Sequence, residues 1–178
     1  MKSKKKEFQQ HLYHDIDNEE DVEEYLDSAM PLIGEVVMYF NSLEKSLDSQ
    51  ICETFTFRSD STGLIVLHKM SYSTKVELFK RFSDDFQLAC DEKIENYDEL
   101  IKGLKESGRL RNLVVHADWE NTDNDGFTYI SLKISKSGMH QEYIQFSEES
   151  LKDIIRLIFK THKSLSDFRE SRMEILRN

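Results

Sequence analysis

Within GRLRNLVVHADWE (Gly108–Glu120) an arginine, an amide and an imidazole fall close together as Arg111, Asn112 and His116. Arginine presents a planar fork of donors that matches phosphate oxygens. Histidine exchanges protons near neutral pH. Asn112 precedes His116 by four residues, which puts both on one face of a helix, where the amide can orient the imidazole or a phosphate. Together these side chains suit a site that grips a phosphate group and moves a proton beside it. Lys102, Lys105, Arg109, Asn112 and His116 follow at three- and four-residue steps and form one polar stripe, opposite Leu100, Ile101, Leu104, Val114 and Val115. Arg111 falls nearer the apolar side, and Gly108, one turn earlier, leaves room for its guanidinium to fold back. A half-buried arginine needs an anionic partner. A purely structural role is the competing reading: Arg111 pairs with Glu44, Asp48 or Glu77, and His116 is a polar residue near a helix end.

The elements that must position these residues are mostly helical. A long helix is expected from near Ser28, with Pro31 in its first turn and Leu32, Val36, Tyr39, Phe40, Leu43, Leu47, Ile51 and Phe55 as its core stripe. Glu44 and Asp48 flank that stripe as a solvated acidic face or as supporting carboxylates. After the loop FRSDSTG, the segment LIVLHKM makes one or two turns, with His68 expected as a hydrogen-bonded structural histidine. Ser71 or Ser73 caps the next helix, which carries Val76, Phe79, Phe82, Phe86 and Leu88. The third long helix spans about Lys93 to Ala117 and holds the motif. TDNDG then turns the chain, and FTYISLKI and HQEYIQF alternate around SKSG as a β-hairpin. A last amphipathic helix starts at Ser147, and its apolar positions include Leu151, Ile154, Ile155, Ile158, Phe159, Leu165 and Phe168. The expected class is therefore mainly α: a helical bundle with a β-hairpin inserted before its C-terminal helix. Residues 1–27, acidic after a basic KSKKK start, are expected to be a weakly ordered arm, and residues 28–178 a single helical domain. KSKKK reads as a disordered basic arm or, less simply, as a phosphate-binding one.

Composition narrows the function classes. The chain has 178 residues and a net charge of −10. Such a charge argues against a protein that coats nucleic acid without specificity, though not against a small basic cleft on an acidic body. No apolar run approaches the roughly 20 residues of a membrane span. No apolar stretch follows the basic start, so a secretory signal is not expected either. Cys52 and Cys90 make no metal-knuckle or disulfide pattern and read as reduced, partly buried thiols of a cytoplasmic protein. His11, His14, Asp15 and Asp17 are nominal metal ligands, but without preformed geometry no metal site or cofactor is expected. Trp119 and Tyr129 can stack on bases, though core packing is the simpler role.

Arg111-Asn112-Leu113-Val114-Val115-His116 matches the R-N-x-x-x-H form of the RX4–6H motif and resembles that of HEPN domains (higher eukaryotes and prokaryotes nucleotide-binding). NSLEKSLDSQICETF and MSYSTKVELFKRF look like the first two helices of a bacterial HEPN branch. The resemblance covers residues 28–175, and its specific part is the six-residue motif. It implies a HEPN-type bundle and an endoribonuclease of the toxin or phage-defence kind. Arg111, Asn112 and His116 would be catalytic, Lys102, Lys105 and Arg109 would contact RNA, and the chain would form a homodimer. An antitoxin or defence-system protein would be a further partner. Asp118 stands where some HEPN toxins carry a tyrosine two residues after the histidine, so control through a modified tyrosine is not implied. The alternatives are a non-catalytic HEPN-like module that binds a nucleotide, RNA or protein, and a structural helical adaptor.

Overall fold

The computed structural model describes residues 1–9, 19–55, 59–123 and 125–177, with the backbone alone for 19–21. In chain order the elements are β1 (Ser3–Glu7), α1 (Glu19–Phe55), α2 (Ser61–Leu67), α3 (Tyr72–Cys90), α4 (Tyr97–His116), β2 (Asp118–Thr122), β3 (Phe127–Ser135), β4 (Gly138–Gln145) and α5 (Glu148–Ile175). Most of the described chain is helical, as the periodicity predicts. None of the described helices is long and apolar enough to cross a membrane. The chain divides into two compact units, Met1–Val37 with Leu110–Ile155, and Met38–Arg109 with Arg156–Asn178.

The first unit is built on an antiparallel sheet of order β1-β4-β3-β2. The predicted hairpin is its centre: β3 and β4 pair from Phe127↔Gln145 to Ser135↔Gly138, with a bulge between Tyr129 and Ser131. Asp123 shapes the turn before β3, its side chain accepting the backbone N–H groups of Asp125 and Phe127. Gly126 closes that turn at φ 77°, a left-handed conformation that glycine adopts without strain. From the helices, Val22, Ala29 and Val36 of α1 share one stripe and are buried, as are Leu110 and Val114 of α4 and Leu151 and Ile154 of α5.

The N-terminal arm departs from expectation. Ser3–Glu7 is a strand that pairs with β4 from Ser3↔Ile144 to Glu7↔His140. The outer edge of β4 would otherwise present unpaired backbone groups. Lys4 forms an ion pair with Asp123 and lies 4.3 Å from the centre of the Phe127 ring. The lysine stems thus cover aromatic surface while their charges find acids or solvent. Helix α1 also begins at Glu19, ahead of Ser28, and runs through Pro31. Proline costs the helix one hydrogen bond, but the buried stripe continues on both sides of it, at Ala29 and Val36. His11, His14, Asp15 and Asp17 lie outside the described residues.

In the second unit, Phe40, Leu43, Leu47 and Ile51 of α1 are buried together with Val76 and Phe79 of α3, Leu100 and Leu104 of α4, and Ile158, Leu165 and Phe168 of α5. Ser71 is the N-cap of α3, its hydroxyl accepting the Thr74 N–H at 3.3 Å. α2 is short: Gly63 and Leu67 are buried, and a Cβ on Gly63 would lie 2.5 Å from Cys52 Sγ. His68 ends α2 as its exposed C-cap rather than sitting inside an apolar segment. Cys52 is buried and Cys90 exposed, both as free thiols.

Candidate active site on helix α4

Arg111, Asn112 and His116 all belong to the first unit, where they occupy the last turns of α4. Leu110, Val114 and Ala117 turn inward and anchor this end of the helix. The same spacing leaves Asn112 and His116 exposed on the outer face, with Arg111 half-buried beside them. Arg111 Nη1 donates to Asn112 Oδ1 at 3.1 Å. That bond has a consequence for reach. On an ideal helix Arg111 and His116 point about 140° apart, five steps of about 100° less one turn. Asn112 and His116 are a same-face pair, so binding its amide draws the long arginine side chain toward the histidine's side.

The helix stops at His116 because the chain turns into β2, where Asp118 pairs with Tyr129. Trp119 braces this corner. Its indole N–H donates to the Val114 carbonyl at 2.9 Å, satisfying one of the last-turn carbonyls that a helix leaves without an internal partner. The ring packs on Phe146, with centroids 5.1 Å apart, and Thr122 donates its hydroxyl to the Trp119 carbonyl. Trp119 therefore fixes the turn that carries His116, a role that its sequence position did not reveal. Asp118, two residues after His116, accepts a hydrogen bond from Asn121. Burial and then the Asp118 charge push the Tyr129 hydroxyl above the ordinary tyrosine range. Tyr129 itself packs edge-on against Tyr143. Both aromatics thus serve packing, the simpler of their two expected roles.

The three basic residues expected to contact RNA belong to the second unit. Lys102 is exposed. Lys105 forms an ion pair with Glu77 at 2.6 Å. Arg109 makes a two-pronged pair with Glu106, Nε to Oε2 at 2.8 Å and Nη2 to Oε1 at 2.6 Å. The hydrogen bond and charge of Lys105 hold the Glu77 carboxyl below its ordinary range, and Arg109 does the same to Glu106. Two of the three cations thus already carry an acid.

The acids proposed as structural partners for Arg111 are likewise engaged. Glu44 and Asp48 both accept from Lys75 Nζ at 2.8 Å, and Glu77 holds Lys105. Lys75 is only 9% exposed, so Glu44 and Asp48 are neither a solvated face nor a support for α4 but a clamp on a buried ammonium. Sequence periodicity gave no sign of it beyond placing Lys75 next to the core residue Val76. Gly108 also has a different reason from the one expected. A Cβ there would meet the Tyr72 ring at 2.6 Å, so the glycine admits Tyr72, whose hydroxyl donates to the Leu104 carbonyl at 3.1 Å.

Among the described residues, no group of three or more His, Cys, Asp or Glu could hold a metal ion. Chemically, the end of α4 presents an exposed amide and imidazole, with a half-buried guanidinium bonded to the amide: residue types that suit anion binding and proton transfer. Compared with protein-family models, curated proteins and solved structures, the chain finds no match in any of the three.

Proposed function

We propose that the chain is an endoribonuclease of HEPN type, acting in the cytoplasm within a toxin or phage-defence system and needing no metal for its chemistry. One observation carries this reading. The R-N-x-x-x-H residues end α4 with Asn112 and His116 exposed and Arg111 bonded to Asn112. A histidine turned inward, serving only the core, would have supported the adaptor reading instead.

RNA supplies its own nucleophile. A base removes the 2′-hydroxyl proton, O2′ bonds to phosphorus, the P–O5′ bond breaks, and an acid protonates the departing O5′. The products carry a 2′,3′-cyclic phosphate and a 5′-hydroxyl. His116 takes the acid or the base role, a contribution of about 10²–10⁴ in rate. Arg111 stabilises the charge that grows on the phosphoryl oxygens. Asn112 positions Arg111 through their hydrogen bond and can also contact the phosphate. One motif contains a single histidine, whereas the reaction uses both an acid and a base. Two chains related by a two-fold axis, with their α4 C-terminal turns facing, would supply both.

A second reading has its own support. The ion pairs of Lys105 and Arg109 reduce the positive charge along α4 that a long polyanion would meet. They favour a HEPN-like module that binds a nucleotide, a short RNA or a partner protein without cleaving it. Incubating purified protein with structured RNA and mapping the 3′ ends separates the two. Cyclic-phosphate ends that vanish in His116→Ala support the enzyme. Binding that needs Arg111 but yields no products supports the module. Cleavage undiminished in His116→Ala removes the proposed mechanism.

A further inference from the structure

The second unit holds a cavity of about 420 Å³ that the motif does not use. Its walls include Phe55, Phe79, Phe82 and Phe86, and Arg172 and Asp85 also line it. Phe55 and Phe82 meet edge to face at 5.5 Å, which makes one aromatic wall. Arg172 lies in the last turn of α5, where a cation suits the helix dipole. The dipole does not explain why the side chain is half-buried, with its guanidinium carbon 5.7 Å from the centre of the Phe86 ring. An arginine reaching for solvent would not lie there.

Its charge is poorly compensated. Glu53 is the acid whose charge Arg172 feels, but both Glu53 oxygens accept from Arg169 Nε, at 2.8 and 3.0 Å. Among the described residues, no carboxylate lies within 4.0 Å of the Arg172 nitrogens. Desolvation accordingly pulls the guanidinium below its ordinary range, which supports the same conclusion. Charges partly withdrawn from water in this way are normally paired.

We infer that this cavity binds a small organic monocarboxylate, with its aromatic or alkyl body among the phenylalanines and its carboxylate on Arg172. The size suits a small-molecule site, apolar with a few polar groups to orient the ligand. Guanidinium and carboxylate match as a two-pronged pair. Asp85 also lines the cavity, and its negative charge disfavours a dianion such as a phosphate monoester more than a monoanion.

The test is calorimetric titration of the full chain with indole-3-acetate, with the corresponding neutral alcohol, and with inorganic phosphate. Indole-3-acetate should bind about tenfold more tightly than the alcohol, the scale of one desolvated ion pair. Inorganic phosphate should bind far more weakly than either. Arg172→Met should equalise acid and alcohol, Arg172→Lys should keep part of the preference, and Phe86→Ala should weaken both. Arg81→Gln, an exposed cation outside the cavity, should change nothing. Far-UV circular dichroism of each variant establishes that it is folded, and Arg172→Lys decides the matter should Arg172→Met unfold. Equal binding of acid and alcohol overturns the inference, and so does a preference that survives Arg172→Met. Absence of binding by indole-3-acetate at millimolar concentration overturns it as well.

Discussion

Replacing Lys75 by methionine keeps most of the side-chain volume and removes only the charge. The cost follows from what remains. Glu44 and Asp48 stand one turn apart on α1, with their side chains 29% and 26% exposed, and the second Asp48 oxygen is buried without a hydrogen bond. Without the ammonium they are two partly desolvated like charges. Breaking a fully buried pair costs about 3–5 kcal/mol, and the residual exposure of both acids lowers this to about 2–3 kcal/mol. In a chain of this length that is a fall in Tm of about 4–12 °C. Urea unfolding followed by circular dichroism measures it. Adding Glu44→Gln and Asp48→Asn should recover most of the loss, since the damage comes from the orphaned charges rather than from lost attraction. The pH profile gives an independent check. Burial draws the Lys75 ammonium down, but the hydrogen bonds and charges of Asp48 and Glu44 outweigh it, and its pKa is raised. A group raised on folding contributes fully below its unfolded pKa, about 10.4 for lysine, and loses that contribution as pH rises through the folded value. The parent protein should therefore lose stability above about pH 10.4 by an increment that Lys75→Met lacks. A single variant within about 0.5 kcal/mol of the parent at neutral pH would refute the reasoning, because that is the effect of an ordinary surface substitution.

Gly108→Ala should destabilise by about 1–2 kcal/mol despite the better helix propensity of alanine, because the new methyl meets a Tyr72 ring held by the Leu104 carbonyl and by Phe40; a stabilised variant in the same urea assay would count against it. Trp119→Phe should keep the packing on Phe146 but lose the bond to the Val114 carbonyl, costing about 1 kcal/mol and loosening the amides of the last turn of α4 in hydrogen exchange. His116→Ala should leave stability within about 0.5 kcal/mol of the parent, since the residue is exposed, so any lost cleavage is chemical and not structural. On the RNase reading, cross-linking and light scattering should find a two-fold dimer at micromolar concentration, and RNA binding should weaken steeply with salt. A persistent monomer or salt-insensitive binding would contradict that reading.

How much of this was legible in the sequence depends on how local the cause is. The stripe of Leu43, Leu47 and Ile51, the Ser71 cap and the hairpin around SKSG rest on neighbours within a few positions, and periodicity or turn chemistry reveals them directly. Arg111, Asn112 and His116 stand out as candidates for the same reason: they lie within two turns of one helix. The rest joins distant residues. β1 exists because β4 has an edge to pair, so the same lysines that read as a disordered arm become a strand. Gly108 looks like room for Arg111 until the fold brings Tyr72 against it. Glu44 and Asp48 look solvated until α3 delivers Lys75, and Lys105 looks free for RNA until Glu77 arrives beside it. Periodicity records which face of an element is apolar, but an ion pair is decided by which element comes to meet that face. Local pattern therefore determined the helices, the hairpin and the identity of the motif. Only the tertiary structure decided which charges are already spent on one another, because charge pairing acts over a few ångströms in space, whatever the separation along the chain.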